Sequence, residues 1–203
     1  MIKVALTGNM GSGKSVICNF FEMLDVPVFY ADNEAKKLYE KPEILKKIKI
    51  LFGNEVFTSD GSINKKALAN KVFSDEEKLK EVNKVIHPEV YKMFDQWTKR
   101  HKNKPYCIQE AAIIFETGGY KRFDKTIIVY APEEILIERV MNRDGISRRE
   151  VQERLKNQMD QERKKELADY LLPNDNSMLL LPRIMEIHAE LIHLSTKNHQ
   201  KAS

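Results

Sequence analysis

The sequence feature that most constrains the fold is a glycine-rich stretch near the N-terminus, Gly8-Asn9-Met10-Gly11-Ser12-Gly13-Lys14-Ser15. It has the spacing G-x-x-x-x-G-K-S of a phosphate-binding loop. The apolar run at residues 2–7 predicts a buried strand before it, and residues 16–24 can continue after it as a helix. Glycines let backbone N–H groups turn inward around phosphate oxygens, and a helix N-terminus adds positive potential at the same point. The sequence therefore predicts an anion site between a strand and a helix.

Two side chains of this stretch have the chemistry to act on a nucleotide. The Lys14 ammonium can reach the β- and γ-phosphates, and the Ser15 hydroxyl can hold Mg²⁺. A chance glycine turn is the alternative interpretation. Because all three fixed positions of the pattern occur between a strand and a helix, the sequence favours the phosphate-binding loop.

Short apolar segments alternate with helical ones along much of the chain. After the first strand, further strands are predicted at residues 25–31, 106–115, 126–130 and 170–172. This alternation predicts an α/β fold of the P-loop NTPase type, a doubly wound parallel sheet of about five strands that binds ligands at its carboxyl edge. The predicted nucleotide-binding core comprises residues 1–40, 105–142 and 166–203.

Two segments interrupt the alternation. Residues 41–104 form a predicted helical insertion, in which His87-Pro88 should break a helix because the residue before proline avoids the α region. Residues 143–165 are rich in charge and poor in apolar positions, and Ser147 with Glu150 has the pattern of a capping box. We predict a helical lid there, with Lys164 among the basic residues expected to face solvent.

Size, charge and cysteine content narrow the class of protein. The 203 residues fit one domain, or one core with an insertion, and the net charge of +4 is too diffuse to predict a nucleic-acid partner. No apolar segment approaches the roughly 20 residues that span a bilayer, so no membrane association is expected. The N-terminus enters the first strand without room for a signal peptide, and the two cysteines form no C-x-x-C pair. These observations predict a cytoplasmic protein with reduced cysteines.

Several residues outside the loop are candidates for chemistry. Asp32 follows the second strand and can orient or deprotonate an acceptor hydroxyl, although an exposed turn aspartate fits as well. Glu110 can serve as the acidic residue near Mg²⁺, or it can be a strand-end glutamate in water. Arg139 and Arg143 can neutralise charge on transferring phosphates. His87 lies beside a proline in a helical region, where a structural role is the more common one.

Taken in order, these pieces resemble the dephospho-CoA kinase family, whose members use ATP to phosphorylate the ribose 3′-hydroxyl of dephospho-coenzyme A. The resemblance extends from residue 2 to about residue 176. Its matching stretches are residues 6–15, Val28-Phe29-Tyr30-Ala31-Asp32, His87-Pro88, Ile113-Ile114-Phe115-Glu116, Arg143-Asp144-Gly145-Ile146-Ser147, residues 154–159, and Ala168-Asp169-Tyr170 with Asn174.

The resemblance implies roles for several of these residues. It makes Asp32 the catalytic base, with Lys14 and Arg143 acting on the phosphates, and it makes residues 41–104 the domain that grips the coenzyme A portion. Asp32, Glu110 and His87 are the implied substrate-binding residues. The implied ATP-binding residues are Gly11, Ser12, Gly13, Lys14, Ser15, Val16 and Asn174, with Mg²⁺ on the Ser15 hydroxyl.

The chain departs from the family pattern at several positions. The family has L-D-[IV]-P-L-L-F-E where this chain has residues 109–116, so Glu110 stands in place of aspartate and Ala112 in place of proline. Val16 replaces the usual threonine.

The alternative function from the same class is a small P-loop kinase acting on a nucleoside monophosphate or a shikimate-like alcohol. A nucleotide-dependent switch is a further alternative, but the N-K-x-D guanine motif of switch GTPases does not occur in the sequence.

Overall fold

A computed structural model describes residues 1–73, 75–177 and 179–201. Its strands are β1 (Ile2–Thr7), β2 (Val28–Tyr30), β3 (Tyr106–Glu110), β4 (Lys125–Tyr130) and β5 (Tyr170–Pro173). Its helices are α1 (Lys14–Met23), α2 (Ala31–Leu38), α3 (Pro42–Phe52), α4 (Lys65–Phe73), α5 (Glu76–Arg100), α6 (Glu133–Asp144), α7 (Arg148–Lys156), α8 (Gln161–Leu167) and α9 (Leu180–Lys201), with a short 3₁₀ turn at Gly119–Arg122.

The strands form one five-stranded sheet in the order β2-β3-β1-β4-β5, and every pairing is parallel. This confirms the predicted parallel sheet of about five strands. The chain leaves β1 to build β2 and β3 on one side and later builds β4 and β5 on the other. In such sheets ligands bind beyond the carboxyl ends of the strands, where the strand order changes direction. That point is the end of β1, and the glycine-rich loop begins there.

One face of the sheet is covered by α1 and α9, and this packing fixes the direction in which α1 leaves the loop. Val4 and Leu6 of β1 contact an apolar cluster that includes Phe21 of α1 and Ile187 of α9, and all four side chains are buried. Burial of apolar area at roughly 25 cal/mol per Å² makes such contacts the main stabilising term of the core. The helix that starts at the loop is therefore held rigidly against the strand that precedes it.

The third strand is shorter than the sequence predicts. The predicted strand runs from residue 106 to residue 115, but β3 ends at Glu110. Beyond it the Ala111 amide donates to the Leu6 carbonyl, and the chain then turns away from the sheet. Ile114 and Phe115 are buried within this turn, so their apolar character does not indicate pairing in the sheet. A short apolar run in a sequence is compatible with a buried turn as well as with a strand.

The predicted helix break at His87-Pro88 is wrong. The helix α5 is continuous, with Pro88 in its interior. A proline there removes one backbone hydrogen bond and crowds the preceding turn. Val82, Ile86, Val90 and Phe94 follow at intervals of four residues on both sides of Pro88, and all are buried. This continuous apolar face offsets the cost of the proline.

The chain divides into two compact units. The first comprises Met1–Tyr30 and Arg100–Ser203 and contains the sheet, and the second comprises Ala31–Lys99 and contains α2 to α5. The predicted insertion, residues 41–104, overlaps the second unit over residues 41–99. None of the helices in the described part of the chain combines the length and the apolar character needed to cross a membrane.

Candidate active site

The glycine-rich loop takes a backbone path that only glycine follows without strain. Gly11 and Gly13 have φ angles of 81° and 90°, in the left-handed region. A Cβ atom on Gly11 would overlap the Leu136 carbonyl, and one on Gly13 would overlap the Asn174 side-chain amide. These two glycines therefore permit both the sharp turn into α1 and its close packing against neighbouring residues.

The loop ends at the N-terminus of α1, where the first-turn N–H groups and the helix dipole favour an anion. Within the described part of the chain, the first turn of α1 has no acidic residue and no capping side chain. Lys14 Nζ donates to the Gly8 carbonyl at 2.9 Å, which holds the ammonium against the loop. Ser15 is exposed in the first turn of α1. These groups form a site suited to a polyphosphate.

Asn174 supports the loop from its position directly after β5. Its backbone amide donates to the Tyr130 carbonyl at 2.8 Å, and its side-chain Nδ2 donates to the Ser12 carbonyl at 2.7 Å. Asn174 is buried, so both bonds are shielded from water. The contact ties the loop to the ends of β4 and β5.

Glu110 and Lys14 lie at the same edge of the sheet. Glu110 ends β3 and is in register with Leu6 of β1 and Tyr30 of β2. Burial raises the pKa of the Cys18 thiol, the Glu110 carboxylate raises it further, and the Lys14 ammonium opposes the rise. Both charges therefore lie close enough to act on one buried thiol. Glu110 is only 9% exposed, which places a carboxylate in the interior beside the loop.

The second unit brings two other predicted residues together. Asp32 is exposed in the first turn of α2, which begins directly after β2 in the chain. His87 is half-buried in α5. Burial lowers the pKa of His87, and the Asp32 carboxylate opposes the fall, so the two side chains lie within electrostatic range of each other.

Of the two arginines considered on α6, the one that contacts the loop is Arg139. Its Nη1 donates to the Gly11 carbonyl at 3.4 Å and its Nη2 donates to Asn176 Oδ1 at 2.9 Å. Arg143 is exposed and forms a two-pronged pair with Asp144, at 2.7 Å from Nε to Oδ1 and 3.0 Å from Nη2 to Oδ2. Both arginines are candidates from the sequence, and the family resemblance implies the phosphate role for Arg143.

The prediction that Lys164 faces solvent is wrong. Its side chain is 0% exposed, and its Nζ contacts Asn9 Oδ1 at 2.8 Å and Glu116 Oε1 at 2.7 Å. Asn9 is the first variable position of the phosphate-binding loop. A charge-rich segment is usually a solvated face, so nothing in the local sequence distinguishes Lys164 from the lysine that follows it.

A phosphate-binding loop after the central strand of a parallel sheet, with a carboxylate ending the neighbouring strand, is how P-loop kinases hold a nucleoside triphosphate. The chain has this arrangement, so its fold and site are those of a P-loop nucleotide-binding protein. The model of the family described as dephospho-CoA kinase matches residues 2–179. The chain therefore belongs to the dephospho-CoA kinase family.

Individual relatives agree with this assignment. The dephospho-CoA kinase of Bacteroides fragilis is 38% identical over 191 residues, which is 94% of this chain and 93% of the relative. A Thermus thermophilus protein of known structure superposes with a TM-score of 0.84 at 37% identity, covering 94% of this chain and 97% of that one. Dephospho-CoA kinase from Campylobacter jejuni gives a TM-score of 0.62 at 28% identity, with 99% and 96% covered. The similarity thus extends far beyond the loop that many families share, and membership of a kinase family implies ATP as the phosphoryl donor.

Proposed function

We propose that the protein transfers the γ-phosphoryl group of ATP to the ribose 3′-hydroxyl of dephospho-coenzyme A, which completes coenzyme A. The observation that carries this proposal is the family match over residues 2–179, on a chain whose loop and sheet edge form a polyphosphate site. The loop alone would fit many phosphoryl donors and acceptors. The extent of the match is what favours this acceptor.

On the donor side, Lys14 and the first-turn amides of α1 would bind the β- and γ-phosphates. The Ser15 hydroxyl, in the first turn of α1, and the Glu110 carboxylate, at the end of β3, are proposed to hold Mg²⁺, because hard oxygen donors are the ligands that this ion prefers. Bound Mg²⁺ would neutralise charge on the phosphate oxygens. Arg139 supports the loop at Gly11, while Arg143 is proposed to act on the phosphates after exchanging its Asp144 partner for them.

On the acceptor side, Asp32 is proposed to align the ribose hydroxyl and to accept its proton as the new P–O bond forms. His87, its neighbour in the second unit, is proposed to help bind the acceptor. Residues 41–104 are proposed to grip the coenzyme A portion.

The proposed reaction is tested by coupled ADP release with a panel of acceptors: dephospho-CoA, AMP, CMP, shikimate and water. We expect rapid release with dephospho-CoA only, and a product with the mass of coenzyme A. Ready phosphorylation of a nucleoside monophosphate or of shikimate, without any coenzyme A, would overturn the proposal and favour another small P-loop kinase.

We further propose that residues 143–157 are the moving part of the predicted lid, residues 143–165. The helix α7 begins with the predicted capping box, in which Ser147 and Glu150 bond each other's backbone amides. Val151 is its buried residue and packs on Ile137 and Val140 of α6, and the half-buried Leu155 packs on the same cluster. The other side chains of α7 are polar or charged, so little apolar burial holds α7 in place. The following helix, α8, is anchored by the buried Lys164.

Hydrogen exchange tests this division of the lid. We expect amides in residues 146–157 to gain protection when a nonhydrolysable ATP analogue binds, because phosphate neutralises the basic side chains there. Amides of α8 should be protected in both states and serve as the internal control. Strong, equal protection of α7 with and without the analogue would make it a fixed part of the core.

We also propose that the protein acts in the cytoplasm on small molecules, without a nucleic-acid partner. Cys18 and Cys107 are free, buried thiols, and burial raises the pKa of Cys107 to about 12. Thiols of this kind suit a reducing compartment.

A further inference from the structure

The contacts of Lys164 suggest a role beyond packing. Lysine is almost never fully buried unless it is paired, and this one is paired twice. Its Nζ lies 2.7 Å from Glu116 Oε1, beyond the end of β3, and 2.8 Å from Asn9 Oδ1 in the phosphate-binding loop. One ammonium group thereby joins α8, the segment after β3 and the loop.

Further hydrogen bonds join the residues just before α8 to the segment after β3 and to the loop. The Met159 amide donates to Glu116 Oε1 at 2.9 Å, and Asn9 Nδ2 donates to the Met159 carbonyl at 3.5 Å. The Met10 amide donates to Gln158 Oε1 at 2.9 Å. We call Asn9, Glu116, Gln158, Met159 and Lys164 the Lys164 junction. Both polar atoms of the Asn9 side chain are used, so the junction fixes Asn9 in one orientation.

An ion pair in which the lysine is fully buried and the Glu116 side chain is 18% exposed adds little to the free energy of unfolding. Desolvation of two charges often cancels their attraction, and well-packed apolar residues can stabilise a fold equally well. Desolvation lowers the pKa of Lys164, and Glu116 opposes that fall. Within the described part of the chain, Glu116 Oε2 is buried and has no hydrogen-bond partner. The charged groups instead fix the relative orientation of the segments that they join, because a charged hydrogen bond has a preferred geometry that an apolar contact lacks.

We propose that Lys164 is a positioning residue for the phosphate-binding loop. By fixing Asn9 against Glu116 and Met159, it sets the backbone of residues 9–10 and, through it, the amides that follow in the loop. This inference rests on the proposed function only in taking ATP as the ligand of the loop. Because the contacts of Lys164 lie on the donor side, its loss should weaken binding of ATP and leave binding of the acceptor unchanged.

The test compares Lys164→Met with Lys165→Met, a matched control on the same helix. Lys165 is paired with Glu162 at 2.8 Å in an i,i+3 pair, and its Nζ lies 4.6 Å from the centroid of the Tyr130 ring. A misplacement of about 1 Å in a catalytic site can cost about 100-fold in rate. We therefore expect Lys164→Met to raise the Kd for ATP and to lower kcat/KM for ATP by roughly 10- to 100-fold. The KM for dephospho-CoA should not change, and the control should behave as wild type.

A double variant, Glu116→Gln with Lys164→Met, separates positioning from stability. It removes both charges, so no carboxylate is left buried without its partner, and thermal stability should return toward wild type. Under the positioning role, the defect in ATP binding remains although stability recovers. Recovery of ATP affinity together with stability would overturn the inference, and so would wild-type ATP affinity in a folded Lys164→Met protein. If wild type binds ATP but makes no coenzyme A, the proposed function fails while the ATP-binding comparison still decides the role of Lys164.

Discussion

Replacing Lys14 by alanine is expected to lower the rate of phosphoryl transfer by about 10³-fold or more, while the protein remains folded. In the proposed reaction, negative charge spreads over the oxygens of the transferring group, and an ammonium held beside them stabilises that charge. Lys14 Nζ is held at the loop by the Gly8 carbonyl, at 2.9 Å. The buried apolar face of α1 is formed by Ile17, Cys18 and Phe21, so the loss of the Lys14 side chain should leave the packing of the core intact.

The measurement is ADP release with saturating Mg²⁺-ATP and dephospho-CoA, alongside thermal unfolding followed by circular dichroism. Lys197→Ala is the matched control, because Lys197 is exposed on α9, away from the loop in the sequence. A folded Lys14→Ala protein with near-normal kcat would contradict the nucleotide site itself. Equal losses in both variants would point to an effect of charge in general.

The loop and most of the sheet could be predicted from the sequence because their determinants are local. Residues 2–15 contain the apolar run, the glycines and the lysine that together define a strand, a turn and a helix start. The end of β3 depends instead on where its neighbour β1 stops pairing, since the Leu6 carbonyl accepts from Ala111. Pro88 is tolerated in α5 because buried residues on both sides of it share one face. Both outcomes depend on tertiary packing, which overrides local preference.

The same distinction between local and tertiary determinants holds for the candidate site. Residues within the loop follow from a motif, but the residues that support it come from distant parts of the chain. Lys164 reaches Asn9 across 155 positions, and Asn174 reaches Ser12 across 162. Arg139 and Arg143 are one helical turn apart on α6, so only the packing of that helix decides which of them reaches Gly11. Composition and periodicity carry no information about such pairings.

Replacing Asp32 by asparagine is expected to lower kcat by roughly 10²-fold or more, with little change in the affinity for ATP. A ribose hydroxyl is a weak nucleophile, and a carboxylate within hydrogen-bond reach can align it and accept its proton. Asparagine keeps the shape and one acceptor oxygen but removes the charge and the base. Because Asp32 is exposed in the first turn of α2, the substitution should not disturb packing.

The control is Glu34→Gln in the same helical turn, where the carboxylate is paired with Lys37 at 2.6 Å. It removes one negative charge from the start of α2 without touching the proposed base, so its kcat should stay near wild type. Removing the Asp32 charge should also lower the pKa of His87 further, because that charge now opposes the effect of burial. An NMR titration of His87 would show this shift and confirm that the variant is folded with its neighbours in place. If the shift occurs and kcat is nevertheless unchanged at saturating ATP and dephospho-CoA, Asp32 is a neighbour of His87 and a helix-start residue only. Catalysis would then depend on positioning and charge neutralisation at the phosphates.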